Sequence, residues 1–295
     1  MTRLISVCIE EEERIISNPS KIVKDIYESY VKYTCNLNRV VAFLLLLIYF
    51  TFGCTKAPIY LEYRKYNSSV DKPLILPISM LYDTNNYYGL TWAIGVFFAW
   101  FGGSYVMVSL CLILNMMVFI SAKLNILNNL FRNYDATGEN VFEEIRHLIV
   151  QHQFIIRYVD DLNKVLRQVI FVEFVLNSVN QAAVMVQFIL YSHTWMDRIF
   201  WLTYAFFLLV QLLVLTWHAN EIHLQSLSIS YSLYESHWYE QTHKIKQIVN
   251  IVMMRSQKPL NIYIGSWYPM TLGSALVSLK TAYSYVTLIV RLDSH

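Results

Sequence analysis

From Thr84 to Ala122 the chain carries no charged residue, and this run limits the possible folds more than any other feature. A bilayer core of about 30 Å is crossed by roughly 20 apolar residues in a helix. At about 1.5 Å per residue the run would extend to about 58 Å. Its helix must therefore break at Gly102–Gly103, tilt steeply, or continue beyond the bilayer. We expect continuation into a cytoplasmic helical bundle. Soluble domains carry charge on roughly a quarter of their residues, whereas here 15% are charged and 56% are apolar, so further spans are expected.

Four more are found. Val40 to Thr55 is flanked by Arg39 and Lys56, whose long stems can snorkel to the interface. Phe174 to Met196 and Ile199 to Asn220 form an antiparallel hairpin with a tight connection at Asp197–Arg198. The fifth begins after Pro259 and ends near Val290, with Gly265, Pro269, Gly273 and Lys280 inside it. Proline removes a backbone donor and glycine weakens a helix, so this span reads as a broken helix. The fold class is all-α, a polytopic membrane bundle with a cytoplasmic anchor bundle.

Orientation follows from the connecting segments, because basic residues accumulate on the cytoplasmic side. With the N-terminus inside, residues 1–39, 123–167 and 221–258 hold sixteen Lys and Arg, against six on the opposite side. The acceptor tripeptide Asn67-Ser68-Ser69 falls in a loop placed outside, where glycosylation of Asn67 is expected, while Asn18-Pro19-Ser20 is excluded by its proline. The expected organisation is a cytoplasmic segment 1–39, two spans within 40–122 with an extracellular loop at about 56–86, and a cytoplasmic helical connection 123–167. Spans three and four lie within 168–220, anchor helices within 221–260, and the last span with an extracellular C-terminus within 261–295. Residues 1–36, with Glu10 to Glu13, read as a charged amphipathic segment and not as a cleaved signal.

The cytoplasmic connections are helical by pattern. Ile145, Leu148, Ile149, Ile155, Ile156, Val159, Leu162 and Val165 recur at helical spacing, and a similar stripe runs from Leu224 to Met254. Such faces need a partner, which the excess length of the second span can supply.

Net charge is +2 and no basic patch is formed, so nucleic acid is excluded as a partner. Cys8, Cys35, Cys54 and Cys111 form no CxxC pair and have no His at ligand spacing, so neither a disulfide nor a metal is assigned. His218 and His223 lack an HExxH arrangement, no catalytic constellation stands out, and no cofactor is implied. His237 beside Trp238 reads as a packing feature of the cytoplasmic bundle.

Three segments carry a resemblance. Ser232-Leu233-Tyr234-Glu235-Ser236-His237-Trp238-Tyr239, then Met254-Arg255-Ser256-Gln257-Lys258-Pro259-Leu260, then Lys280-Thr281-Ala282-Tyr283-Ser284-Tyr285 resemble, in order and spacing, the C-terminal signature of the insect odorant receptors. Upstream, Leu76-Pro77 before Tyr87-Tyr88 and Trp92 is similar to that family's second extracellular loop and fourth span. Gustatory receptors end in a Thr-Tyr then Gln-Phe pattern, and the Gln-Phe part is lacking here. G-protein-coupled receptors have an outside N-terminus, contrary to the charge count.

The resemblance implies seven spans with the N-terminus inside, so the five spans found are the third to seventh and the first two are absent. A partial gene model, a splice form or a decayed gene would each give such a chain. The implied function is an odorant-gated, non-selective cation-channel subunit in the plasma membrane. It would act with a co-receptor in a heterotetramer and bind a small volatile odorant. The alternative is a truncated non-functional or regulatory member of the same family. A gustatory receptor ranks lower, as does a transporter, which would show paired interrupted helices in two halves.

Candidate ligand residues are aromatic. Tyr49, Phe50, Phe52, Tyr88 and Trp92, with Phe97 and Phe98, occupy the outer halves of the early spans, and Trp201 and Tyr204 open the fourth. Each alone fits an interfacial belt or core packing; together they can line an apolar cavity that recognises volatile molecules by shape and dispersion. Trp201 and Tyr204 share a helix face, as do Trp92 and Val96. In the resembled family the pocket lies between the second, third, fourth and sixth spans, so one wall is missing here. By the same resemblance Leu288 and Leu292 stand at the pore gate with Arg291 at its mouth. A leucine ring blocks ions by dewetting; the alternative is that both leucines face lipid.

Overall fold

The computed structural model describes residues 2–17, 20–63, 86–134, 140–192 and 194–293. Asn67 and Leu76–Pro77 lie outside these residues. Seven α-helices are found among the described residues: α1 (Thr2–Ser17), α2 (Lys21–Tyr63), α3 (Tyr88–Arg132), α4 (Val141–Val186), α5 (Trp195–Glu235), α6 (His243–Ser256) and α7 (Leu272–Asp293). Helices α2 to α5 are long and apolar enough to cross a membrane. The 22-residue α7, which carries Lys280 and Arg291, is not among these four.

The charge-free run resolves as one continuous helix. α3 is 45 residues long and passes through Gly102–Gly103 without a break. A glycine inside a helix costs only about 1 kcal/mol, whereas opening backbone hydrogen bonds in hydrocarbon costs several per group, so the run continues. The same reasoning extends α2 through Lys56 and Pro58 to Tyr63, past the expected loop boundary at residue 56.

Two expected breaks move. The α4–α5 connection is not at Asp197–Arg198. A π-helical turn, Gln187–Tyr191, ends the α4 segment and α5 begins at Trp195. Thr194 caps α5: its Oγ1 accepts from the Asp197 amide at 3.1 Å and donates to the Asp197 carboxylate at 2.7 Å. This is a side-chain N-cap, so Asp197 belongs to the first turn of the helix. The last span is not a broken helix either. Pro259 to Thr271 is non-helical and contains a hairpin of β1 (Tyr263–Ile264) and β2 (Tyr268–Pro269) paired antiparallel. Gly265 takes φ +67° at its turn, a conformation that glycine adopts without a Cβ penalty. From Leu272 onward α7 runs unbroken through Gly273 and Lys280.

The chain divides into two compact units. One comprises Met1–Asn36, Leu114–Ser178 and Gln211–Thr281. Its centre is mainly apolar, with Leu114, Met117, Leu124, Leu127 and Phe131 of α3, Leu162 of α4, and Ile222, Ile229 and Leu233 of α5 buried almost completely. On α4 the buried stripe is Ile145, Leu148, His152, Ile155, Val159, Leu162 and Leu166, the spacing of one helical face. Val165, expected in that stripe, is exposed and Leu166 takes its place. α6 shows the same period with Ile245, Val249, Val252 and Ser256 buried.

Lys123, which ends the charge-free run, does not snorkel to solvent. It reaches Glu11 of α1 at 2.6 Å, with both side chains nearly buried. Beside it Cys8 meets the Tyr158 hydroxyl at 2.7 Å, and burial pushes the Cys8 thiol up from its ordinary value, keeping it a neutral hydrogen-bonding group. Ile15, Val23 and Ile126 complete this contact of α1 and α2 with α3. The signature segments supply polar staples: Ser232 donates to Asn128 at 3.2 Å, and the buried Leu260 amide donates to Ser226 at 2.9 Å. His237 is exposed in the turn between α5 and α6, where its ring meets Tyr239 at 6.0 Å between centroids. It therefore does not pack in the bundle.

The other unit comprises Leu37–Ile113, Val179–Val210 and Ala282–His295. Its core gathers Ile48, Val184, Phe207 and Leu208. Large apolar side chains point outward all round it, among them Phe43, Leu46 and Phe50 on α2, Phe97 and Phe101 on α3, and Leu202 and Phe206 on α5. An apolar exterior of this extent is stable in a bilayer and not in water. The protein is a multi-pass α-helical membrane protein.

Candidate functional site

The aromatic residues singled out in the sequence lie in the second unit, on α2, α3 and α5, and assemble into three ring groups. In the first, Tyr60 of α2 stacks on Tyr88 at 5.7 Å between ring centroids and leans on Trp92 at 4.7 Å. Tyr88 is buried, while Trp92 and Val96 are half-buried. In the second, Tyr49 stacks on Trp100 at 5.2 Å with an interplanar angle of 25°. Its hydroxyl donates to the Trp100 carbonyl at 2.8 Å and lies 3.3 Å from Ser104 Oγ.

The third group joins α2 to α5. Phe52 tilts against Phe200 at 5.8 Å, and Phe200 in turn meets Trp201 edge-on at 4.9 Å and Tyr204 in parallel at 6.2 Å. Trp201 and Tyr204 pack with Leu44 and Ala205 on the Ile48, Val184, Phe207 and Leu208 core. Aromatic pairs of these geometries contribute about 0.5–1.5 kcal/mol each beyond their buried area. These groups are largely apolar, with the Tyr49 hydroxyl already committed to a backbone carbonyl.

Seven of the eight sequence candidates are thus half-buried or buried in this unit: Tyr49, Phe52, Tyr88, Trp92, Val96, Trp201 and Tyr204. Phe50 is not brought to them. It is 69% exposed, one residue round the helix from Tyr49, and its place is on the bilayer face. Phe97 and Phe98 are likewise exposed and touch one another at 6.0 Å.

Three participants were not singled out in the sequence. Tyr60 lies beyond Lys56 and Pro58, a charge and a helix breaker that hide the continuation of α2 to Tyr63. Phe200 was adjacent to Trp201 but not chosen, although Phe200, Tyr204, Phe207 and Leu208 repeat at i, i+4, i+7 and i+8, the mark of one helix face. Trp100 was one of many aromatic residues in the charge-free run, and nothing local distinguishes it.

Gly103 has a specific role in the second group. A Cβ built there would run into the Tyr49 hydroxyl and lie 3.2 Å from its ring, so the absence of a side chain is what lets Tyr49 reach α3. Replacing Gly103 by Val is expected to expel the Tyr49 ring from its stack on Trp100. The cost should be about 1–3 kcal/mol, typical of overpacking, read as a lower melting temperature in detergent. A Gly103→Val protein that melts as the wild type does would show that Tyr49 yields freely.

The residues assigned to a pore gate lie on α7. Leu288 is 60% exposed, and Leu292 follows four residues later in the same helix. Arg291 is exposed. The buried side of α7 is made of small or branched residues, Ala275, Ala282 and Val286, whereas Leu276, Val277, Tyr283, Tyr285 and Leu288 point outward.

Comparison with known proteins agrees with this architecture. The 7tm odorant receptor family is matched over residues 8–283. Odorant receptor 10 of Aedes albopictus is 32% identical over 155 residues, which is 52% of this chain and 41% of that protein. Odorant receptor Or2 of Anopheles gambiae is 31% identical over 160 residues, 53% of this chain and 42% of that protein. The matched part thus spans about two fifths of the length of each relative. Among solved structures, the insect olfactory receptor OR5 from Machilis hrabei in complex with eugenol superposes with a TM-score of 0.72. That match covers 91% of this chain and 70% of the other at 17% identity. A second structure of the same receptor superposes with a TM-score of 0.73 over 99% of this chain and 75% of that one, at 16% identity. At such identity the likeness establishes the fold.

Proposed function

This chain belongs to the odorant receptor family, and on that premise we propose that it is an odorant-gated cation-channel subunit that assembles with a co-receptor in a heterotetramer. The observation that carries the reading is the placement of rings on three helices of one unit: Tyr49, Phe52, Tyr60, Tyr88, Trp92, Phe200, Trp201 and Tyr204 meet across α2, α3 and α5. Walls of this kind hold a small volatile molecule by dispersion and shape, with few polar groups to fix its identity. Phe50 is left out of the pocket.

The topology that fits has the N-terminus and residues 123–167 and 221–258 in the cytoplasm and the C-terminus outside, as the distribution of basic residues favours. The unit with the buried apolar centre then acts as the cytoplasmic anchor. The Asn67 acceptor lies on the extracellular side. The ion path runs along α7, whose outward apolar face needs either lipid or the same helix of neighbouring subunits to cover it. Leu288 and Leu292 form the hydrophobic constriction and Arg291 stands at its mouth, where mixing with co-receptor subunits lowers the number of cations around the axis.

Coexpression with an insect odorant receptor co-receptor in oocytes tests the proposal. A panel of volatiles that includes eugenol is expected to evoke an inward cation current. Phe200→Ala should raise the half-maximal concentration of the best ligand about tenfold, because about 1.4 kcal/mol of ring contact is removed. Surface-delivered protein that passes no current with any member of the panel would reject the channel reading.

A further inference from the structure

A cavity of about 610 Å³ lies within the unit formed by Met1–Asn36, Leu114–Ser178 and Gln211–Thr281, bounded by Tyr30 and Tyr33 of α2, Ser121 and Asn125 of α3, and Trp217 and Glu221 of α5. Its composition differs from that of the aromatic groups described above. Glu221 is the one charged residue in its lining. A carboxylate oxygen of Glu221 accepts from Gln225 Nε2 at 2.6 Å, and among the described residues no lysine or arginine forms an ion pair with it. Lys123, the basic residue closest in sequence to this stretch of α3, is committed to Glu11.

The rest of the wall adds no positive charge. Tyr33 lies 3.2 Å from His218 Nε2, and His218 Nδ1 lies 2.7 Å from the Val214 carbonyl. A carbonyl only accepts, so Nδ1 carries the proton and Nε2 is free to accept from Tyr33 in the neutral ring. Trp217 presents its indole at the rim and is 57% exposed. A carboxylate among tyrosine and tryptophan faces is an environment for an organic cation, held by charge and by the ring quadrupoles.

One hydroxyl points to a second feature of the ligand, while the Ser121 Oγ is wholly shielded and without a hydrogen-bond partner, and so does not reach the cavity. Tyr30 accepts from both Asn125 Nδ2 and Gln225 Nε2 at 3.0 Å. With both lone pairs engaged, its own proton is left to donate. Gln225 Nε2 bridges this hydroxyl to the Glu221 carboxylate, so a donor stands beside the carboxylate and its rings, which matches a molecule that carries a cation and an oxygen a short distance apart.

We propose that this cavity binds the ammonium–ethyl–oxygen unit shared by free choline and the choline and ethanolamine phospholipids, with Glu221, Tyr33 and Trp217 around the ammonium and Tyr30 donating to the oxygen. The site is independent of the channel reading. On the span limits inferred from sequence it lies where α2, α3 and α5 leave the bilayer, a level that a phospholipid headgroup and a soluble amine can both reach.

Two measurements on the 295-residue protein in maltoside micelles and bilayer discs test it. Calorimetric titration with choline chloride is expected to saturate. Native mass spectrometry of protein released from discs of mixed phosphatidylcholine and phosphatidylglycerol is expected to show phosphatidylcholine retained preferentially. Glu221→Gln should weaken both signals about tenfold, since it keeps the shape and the contact with Gln225 but removes the charge. Trp217→Leu, at an exposed position that a folded protein tolerates, should weaken them in the same direction and serves if the first variant does not fold. Retention of phosphatidylcholine without choline binding would assign the site to lipid, and choline binding without lipid preference would assign it to a soluble amine. Neither signal in the wild type, or signals unchanged in both variants, would overturn the proposal.

Discussion

Leu288→Ser, assembled with the co-receptor, is expected to pass cation current before any odorant is added. Leu288 is exposed on α7 and stands one helical turn from Leu292, so on the proposed channel reading each copy of this chain brings one such pair to the pore axis. Where neighbouring subunits cover it, loss of the leucine side chain forfeits about 1.5–3 kcal/mol of apolar contact, equivalent to about tenfold or more in the closed-state equilibrium. Serine also lets water wet the constriction, which lowers the barrier to ions directly. Leu276→Ser is the matched control, being equally exposed but near the start of α7. It is expected to reduce surface level without raising resting current. Resting currents at the wild-type level in both Leu288→Ser and Leu292→Ser, at normal surface abundance, would assign these residues to the lipid face.

Asn163→Ala is expected to loosen the segment that leads into α7. The Asn163 amide donates to the Asn261 carbonyl at 2.8 Å and accepts from the Tyr263 amide at 3.0 Å, clamping the start of the hairpin to α4. Next to it His223 Nδ1 lies 2.7 Å from the Asn261 side chain, and the Gly265 amide donates to the Arg167 carbonyl at 2.9 Å. Alanine leaves one carbonyl and one amide without their partner, at a cost of about 2–4 kcal/mol if both stay shielded from water. The expected result is a melting temperature lower by about 5–10 °C and faster proteolysis between residues 257 and 271. Asn163→Asp keeps the acceptor but faces the Asn261 carbonyl with a second acceptor, and should be no better than alanine. Unchanged melting and unchanged cleavage in both variants would show that the hairpin is held by Ile262 and Ile264, which are buried, and not by the amide clamp.

The sequence by itself determined the membrane class and the helical character of nearly every element. A run of apolar residues without charge has few alternatives in lipid, where each backbone group must bond within its own helix. The length of the charge-free run therefore identified α3 as longer than the bilayer, and periodicity identified α4 as carrying a core-facing stripe. The signature segments led to the family before any contact was known, and the structure ties parts of them to function as staples: Ser232 to Asn128, and the Leu260 amide to Ser226. The start of α5 was placed at the wrong residues, because the charges of Asp197 and Arg198 mark a polar stretch while Thr194 is the residue that caps the helix.

What only the tertiary structure decided depends on contacts between residues far apart in the chain. Tyr49 meets Trp100 because Gly103 leaves room for it, and Phe52 meets Phe200 across α2 and α5; no local pattern encodes such pairings. Phe50 and Tyr49 are adjacent, equally aromatic and equally placed in the apolar run, yet one faces outward and the other stacks inward, because a helix turns by about 100° per residue and only the packing partner fixes which face is inside. Lys123 looked like the end of a span and is instead paired with Glu11, brought to it by the fold of α1. The unpaired Ser121 hydroxyl is likewise invisible in sequence, because burial without a partner is a property of everything that surrounds a residue and of nothing within it.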